Sequence, residues 1–177
     1  MKDNLSLHEV IITKRNNLTL FRLVAAILVI YGHASAFYVK TDLSDPIMRL
    51  TQFDYTGSFG VKFFFLVSGL LVTQSYLKDP DAFRFFARRC ARIFPGLVTC
   101  IFFTALVVGP GVSEIGIYEY FSSKETWTYI ANNASLLNLQ WELPGVFQSA
   151  QTPVVNGSLW SLPIEIICYV CLVVWFG

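Results

Sequence analysis

The chain has 177 residues, of which 54% are hydrophobic and only 14% charged, and its mean hydropathy is +0.54. Soluble domains carry roughly 25% charge, so this composition, with 16 Phe and 8 Tyr, argues against an ordinary soluble domain and for a bilayer as the solvent. A formal net charge of +1 gives no bulk attraction to nucleic acid, and none is expected as a partner.

The first seventeen residues are polar and mixed in charge, with Lys2, Lys14 and Arg15. The apolar run that follows has no small-residue cleavage site at its end, so it is expected to stay as a span rather than leave as a signal peptide. A spanning helix needs about 20 mostly apolar residues. Four stretches meet that need: Leu18 to Val39, Gly57 to Leu77, Ile93 to Val112, and Leu159 to Gly177. Between the third and fourth lies 113–158, whose middle, WTYIANNASLLNLQW, reads as an interfacial or re-entrant helix, with a fifth span as the alternative. The expected class is all-α, a multi-pass integral membrane bundle of about four spans plus an interfacial helix. No polar cap or basic anchor follows the fourth run, so 18–177 is expected to be a membrane domain truncated at its C-terminal side.

Lys and Arg alternate between rich and poor loops. Lys40 and Arg49 stand against Asp42, Asp45 and Asp54 after the first span; Lys78, Arg84, Arg88, Arg89 and Arg92 follow the second span; Glu114, Glu119, Glu125 and Glu142 stand against Lys124 in the long interval. The positive-inside rule then puts 1–17 and the Arg cluster in the cytoplasm and the long interval outside. The four cysteines, Cys90, Cys100, Cys168 and Cys171, include a CxxC pair. That pair sits in IEIICYVCLVVW without a second Cys or His pair, which favours small apolar packing over a metal, and no metal is expected.

Charged groups within apolar spans cost a few kcal/mol on insertion scales, which makes them functional candidates. Arg22 and His33 are eleven positions apart, about three turns plus roughly 20°, and so share one helix face. Arg22 reads either as a snorkelling anchor or as part of a site; His33 reads either as a packing hydrogen bond between helices or as a general base near neutral pH. Glu165 lies about six residues into the fourth span, at the depth estimated for His33, and a His–carboxylate pair would orient the ring. A helix-start carboxylate held by backbone amides is the alternative. Ser68 and Gly69 lie mid-span; no base stands near Ser68 in sequence, so close helix packing is favoured there over nucleophilic catalysis. Lys62 is expected to snorkel outward. The run FRFFARRCARIFP reads as a basic turn before a third span opened by Pro95, serving as a lipid anchor or as a phosphate site. Asn133 and Asn156 each begin a glycosylation sequon.

Four stretches together resemble the membrane-bound acyltransferase-3 family, whose bacterial members modify cell-surface polysaccharides. They are LFRLVAAILVIYGH, FGVKFFFLVSGLLV, RRCARIFPGL and LPGVFQSAQTPVVNGSLWSLPIEIICY, in this order across Asn17 to Tyr169. The resemblance implies that His33 is the essential histidine, Arg22 its paired arginine and Glu165 an active-site carboxylate. It implies that Arg88, Arg89 and Arg92 border the acyl-CoA site, to which Ser68 is added as a candidate contact. Family domains run to roughly ten spans, and this chain covers about the first half. The implied activity is O-acyl transfer in the plasma (inner) membrane, with acyl-CoA, acetyl-CoA by family analogy, as donor substrate. No cofactor is expected to be held permanently. A sugar or polysaccharide hydroxyl is the acceptor, with membrane lipid as the surroundings. Two other readings stand beside it: a proton-coupled transporter using His33 and Glu165 as relay groups, and an inactive truncated family member.

Overall fold

The computed structural model describes residues 18–38, 45–150 and 153–177. The expected cytoplasmic segment 1–17, and the loop charges Lys40 and Asp42, lie outside them. Among the described residues the regular structure is helical, apart from one isolated antiparallel bridge between Ser113 and Val146. Three helical stretches, Thr56–Lys78, Ala82–Val112 and Gly157–Phe176, are long and apolar enough to cross a membrane. Leu18–Tyr38 is a further helix of 21 residues, apolar over Leu18–Ala34. Large apolar side chains such as Ile30, Leu66 and Val174 stand exposed on these helices, as side chains facing lipid do. The described residues form an all-helical fold consistent with a membrane protein. The chain divides into two compact units, 1–78 and 79–177.

In the first unit, helix α1 (Leu18–Tyr38) lies antiparallel to helix α3 (Thr56–Lys78), with the short α2 (Pro46–Thr51) between them in sequence. Small residues let the two backbones approach, as is usual in lipid, where no hydrophobic force drives helices together. A Cβ on Gly32 would overlap the backbone N and Cα of Gly57, and one on Gly60 would lie 3.0 Å from the carbonyl oxygen of Ala25. Farther along, Phe21 meets Phe63 edge to face at 6.0 Å. The close approach thus rests on Gly32, Gly57 and Gly60, and not on the expected Ser68-Gly69 step. Among the described residues nothing lies within 4 Å of a Cβ placed on Gly69.

Asp45 ties the start of this unit together. Its carboxylate accepts from Ile47 N, Met48 N, and both Thr56 N and Thr56 Oγ1 at 2.8–3.1 Å, so one side chain caps α2 and holds the start of α3. Burial pushes the Asp45 carboxyl up, but these donated hydrogen bonds outweigh it and hold the group below its ordinary value of 3.8. The depressed pKa fixes the sign of the pH dependence. The contribution is present above the ordinary carboxylate value and is lost as pH falls through the lower folded value. Asp45→Ala is expected to cost about 1–2 kcal/mol, the upper range for a lost N-cap. A lower thermal midpoint at pH 7, with the gap to wild type closing in acid, is the result to measure.

The second unit opens on one long helical stretch: helix α4 (Ala82–Phe103) continues through a π-helical turn, Thr104–Val108, into α5 (Gly109–Val112). The expected basic turn is instead the first part of this helix. Asp81 caps it by accepting from Arg84 N at 2.8 Å, and Pro95 lies inside it rather than opening it. An interior proline forfeits one i→i−4 hydrogen bond, a loss that membrane-spanning helices tolerate more readily than soluble ones. The 31 residues of 82–112 span roughly 46 Å at 1.5 Å per residue, against about 30 Å of hydrocarbon. The arginine-bearing turns are the polar excess.

At the other end, Pro110 lacks an N–H, and the helix widens to a π turn just before it. Tyr120 fills the break: its hydroxyl donates to Ala105 O at 2.8 Å and its ring packs against Gly109. The interval 113–158 folds back over this end through α6 (Ile117–Ser122) and α7 (Lys124–Ser135). Leu97, Ile101 and Ala105 form one core with Tyr120, Tyr129, Leu143, Val146 and Leu159. At 12 residues, about 18 Å, α7 is too short for a fifth span. A 3₁₀ turn, Gly157–Trp160, then leads into α8 (Ser161–Phe176).

Candidate functional site

Helix α1 runs unbroken from Leu18 to Tyr38, so the eleven-residue spacing does hold Arg22 and His33 on one side. Residues 21, 25, 28, 29 and 32 face α3. Arg22 and His33 each follow a contact residue by one position, about 100° around the helix, and so flank the seam on its same edge. Both are partly exposed. The Arg22 guanidinium lies over the Phe64 ring at 5.2 Å, a cation–π contact. His33 sits beside Gly32, level with the first turn of α3 at Gly57.

Ser68 lies farther along α3. Its Oγ is shielded from water and has no hydrogen-bond partner among the described residues. Lys62 does not simply snorkel: its ammonium pairs with Asp54 at 2.9 Å. That contact, with a hydrogen bond from Ser58, holds the Asp54 carboxyl below the usual carboxylate range.

In the second unit the basic residues divide into two groups. Arg84 bridges Asp79 and Asp81, each at 3.2 Å, and Arg88 pairs with Asp79 at 2.9 Å. Arg89 is half-buried, with its guanidinium 5.4 Å from the Phe85 ring. Arg92 is exposed and makes no salt bridge among the described residues. The helical repeat sets Arg88, Arg92 and Arg89 within about 100° of arc, a single basic face.

Glu165 is not capped by backbone amides at the start of α8. It accepts the hydroxyl proton of Tyr169 one turn farther on. Tyr169 is buried, and its ring meets Phe85 edge to face at 5.7 Å. A connected path therefore runs Arg89–Phe85–Tyr169–Glu165, from the basic face of α4 to the carboxylate of α8. Sequence reasoning singled out Arg89 and Glu165 and gave no role to Phe85 or Tyr169, which join them. The i, i+4 spacing of Glu165 and Tyr169 was the available signal. Pro163 falls in the first turn of α8, where it is tolerated. His33 and Glu165 belong to different units, and their expected pairing remains a proposal.

The two sequons have structural roles instead. Asn133 is fully buried and clamps Gln140, donating to its carbonyl at 3.0 Å and accepting from its N–H at 3.1 Å. Asn156 Nδ2 donates to Thr104 Oγ1 at 3.1 Å and to the Tyr129 hydroxyl at 2.9 Å. Burial pushes the Tyr129 hydroxyl up to about 12, so it stays protonated at neutral pH. Among the described residues no group of three or more His, Cys, Asp or Glu is placed to hold a metal.

Apolar spans that carry a basic helix face, a buried Tyr–carboxylate pair and an Arg/His edge define a helical membrane protein built around polar groups. The model of an acyltransferase domain matches residues 15–176, and the chain belongs to this acyltransferase family. It is 35% identical over 164 residues to nodulation protein 10 of Rhizobium leguminosarum bv. viciae, covering 89% of this chain and 43% of that protein. It is 32% identical over 157 residues to an O-acetyl transferase of Shigella phage Sf6, covering 89% of this chain and 44% of that one. The chain thus spans less than half the length of these curated relatives. No solved structure matches it.

Proposed function

We propose that this chain forms part of an O-acyltransferase of the plasma (inner) membrane, with its N-terminus cytoplasmic. It moves an acyl group, by analogy acetyl, from acyl-CoA to a hydroxyl of a cell-surface glycan or lipid-linked sugar. The donor's phosphates lie on the basic face of α4, and its acyl end enters the bundle past Phe85. His33 takes the proton from the acceptor hydroxyl as that oxygen attacks the thioester carbonyl, and CoA leaves as the thiolate to be protonated. Arg22 supports the same edge of α1, and Glu165 orients the imidazole. Ser68, whose shielded hydroxyl has no partner among the described residues, is a further contact for the acyl-CoA.

The observation that carries this reading is the contact path from Arg89 through Phe85 and Tyr169 to Glu165, within a chain matched by the acyltransferase family along nearly its whole length. A basic helix face and the Tyr169–Glu165 pair lie on one continuous route, which supports a donor with a charged head and a reactive end. No observation here favours the proton-coupled transporter.

Single alanine substitutions test the donor site. Arg89→Ala and Arg92→Ala are expected to raise the apparent KM for acyl-CoA roughly tenfold or more, with a smaller change in kcat, because a charge-assisted contact is worth about 1.5–3 kcal/mol. Arg88→Ala is expected to do less, since Asp79 already draws on its charge. Unchanged KM in all three, alongside poorly inserted protein, would leave the arginines as orientation signals only.

A further inference from the structure

The interval 113–158 carries a cleft that the acyl-transfer chemistry leaves unused. Its volume is about 560 Å³, and Glu125, Gln140, Trp141, Glu142, Pro144 and Gln148 are among its lining residues. That size falls in the usual range for small-ligand sites, roughly 300–1,000 Å³.

The walls are fixed. Asn133 clamps the Gln140 backbone from both sides. Trp141 O accepts from Val155 N at 2.8 Å. Leu143 and Val146 are anchored in the core. The Pro144-Gly145 turn is held by Ser113 Oγ, which donates to Pro144 O at 2.9 Å, and by Glu114 N, which donates to Gly145 O at 2.8 Å. Gly145 takes a left-handed φ of +68° there, and a Cβ on it would strike Ser113 Oγ.

Against this frame stands one unmet need. Gln140 Oε1 is shielded from water and accepts no hydrogen bond among the described residues. A buried acceptor left unpaired is costly, and Gln140 is one of the residues that line the cleft.

The lining chemistry selects the ligand. Trp141 with Leu139 and Pro144 offers an apolar surface for the C–H face of a sugar ring. Two carboxylates and two amides offer acceptors and donors for its hydroxyls. Among the described residues that line the cleft there is no Lys, Arg or His, so an anionic ligand there meets Glu125 and Glu142.

We propose that this cleft is an acceptor subsite for a neutral oligosaccharide, free or carried on lipid, and that it discriminates against uronate-containing chains. The proposal rests on the acyl-transfer reading for its role but not for its test. The test is saturation-transfer NMR on the full chain in lipid nanodiscs, without donor, using maltotriose and trigalacturonate of equal length. Maltotriose is expected to bind, and trigalacturonate at least tenfold more weakly. Glu142→Gln and Gln148→Ala, both at exposed positions, are each expected to weaken maltotriose about threefold to tenfold while helical content is unchanged. Glu125→Gln with Glu142→Gln is expected to narrow the gap between the two sugars. Failure of maltotriose to bind, equal binding of the two, or indifference to both single substitutions overturns the subsite. Acyl-CoA binding to the same samples is scored separately. Glycan binding without donor binding would remove the acyl-transfer reading and keep the cleft, and the reverse would remove the cleft alone.

Discussion

His33→Ala is expected to abolish acyl transfer while leaving the protein in the membrane at its normal level. Removing a general base costs roughly 10²–10⁴-fold in rate. The imidazole is partly exposed beside the Gly32–Gly57 contact rather than part of it, so its loss leaves the α1–α3 packing in place. Glu165→Gln keeps shape and removes charge, and it is expected to impair transfer less severely. If the two act as a unit, the double variant is no worse than His33→Ala alone, because such effects are not additive. Near-normal transfer by well-expressed His33→Ala protein would remove the general-base role, and a fully additive double variant would remove the pairing.

The largest structural effect is expected at Gly32. A side chain there meets the backbone of Gly57, which cannot move aside as a flexible side chain can. Gly32→Leu is therefore expected to force α1 and α3 apart. Overpacking typically costs about 1–3 kcal/mol, and more where backbone is struck. The variant should be depleted from the membrane or unfold at a clearly lower temperature in detergent. Gly69→Leu is the matched control: it enters open space within its unit and is expected to leave the midpoint near wild type. A normal midpoint for Gly32→Leu would contradict the close helix approach.

Much of this was legible in the sequence because a bilayer imposes length and polarity together. The apolar runs gave the helices, and the eleven-residue spacing gave the shared side of Arg22 and His33. The start of α4 was misread because apolar length marks only the hydrocarbon. The turns of a helix that project beyond it look like a loop, although Asp81 and Arg84 carry the capping signal. Asp45 and Asp54 were read only as loop charges. Their partners, Thr56 eleven positions on and Lys62 eight positions on, are set by how the chain turns back, which periodicity does not encode. Asn133 and Asn156 matched a short surface motif, yet their amides bond groups seven to fifty-two positions away. The Tyr169–Glu165 pair was readable from its spacing. The contact of Tyr169 with Phe85, eighty-four positions earlier, was not.

The most direct test of acyl-CoA docking on α4 is photolabelling. A photoreactive acyl-CoA is presented to the full chain in nanodiscs, and the labelled peptides are identified by mass spectrometry. Label is expected on the stretch around Arg88, Arg89 and Arg92, displaced by excess CoA and reduced by Arg89→Ala. Label confined to other segments, or insensitive to both CoA and Arg89→Ala, would contradict the account.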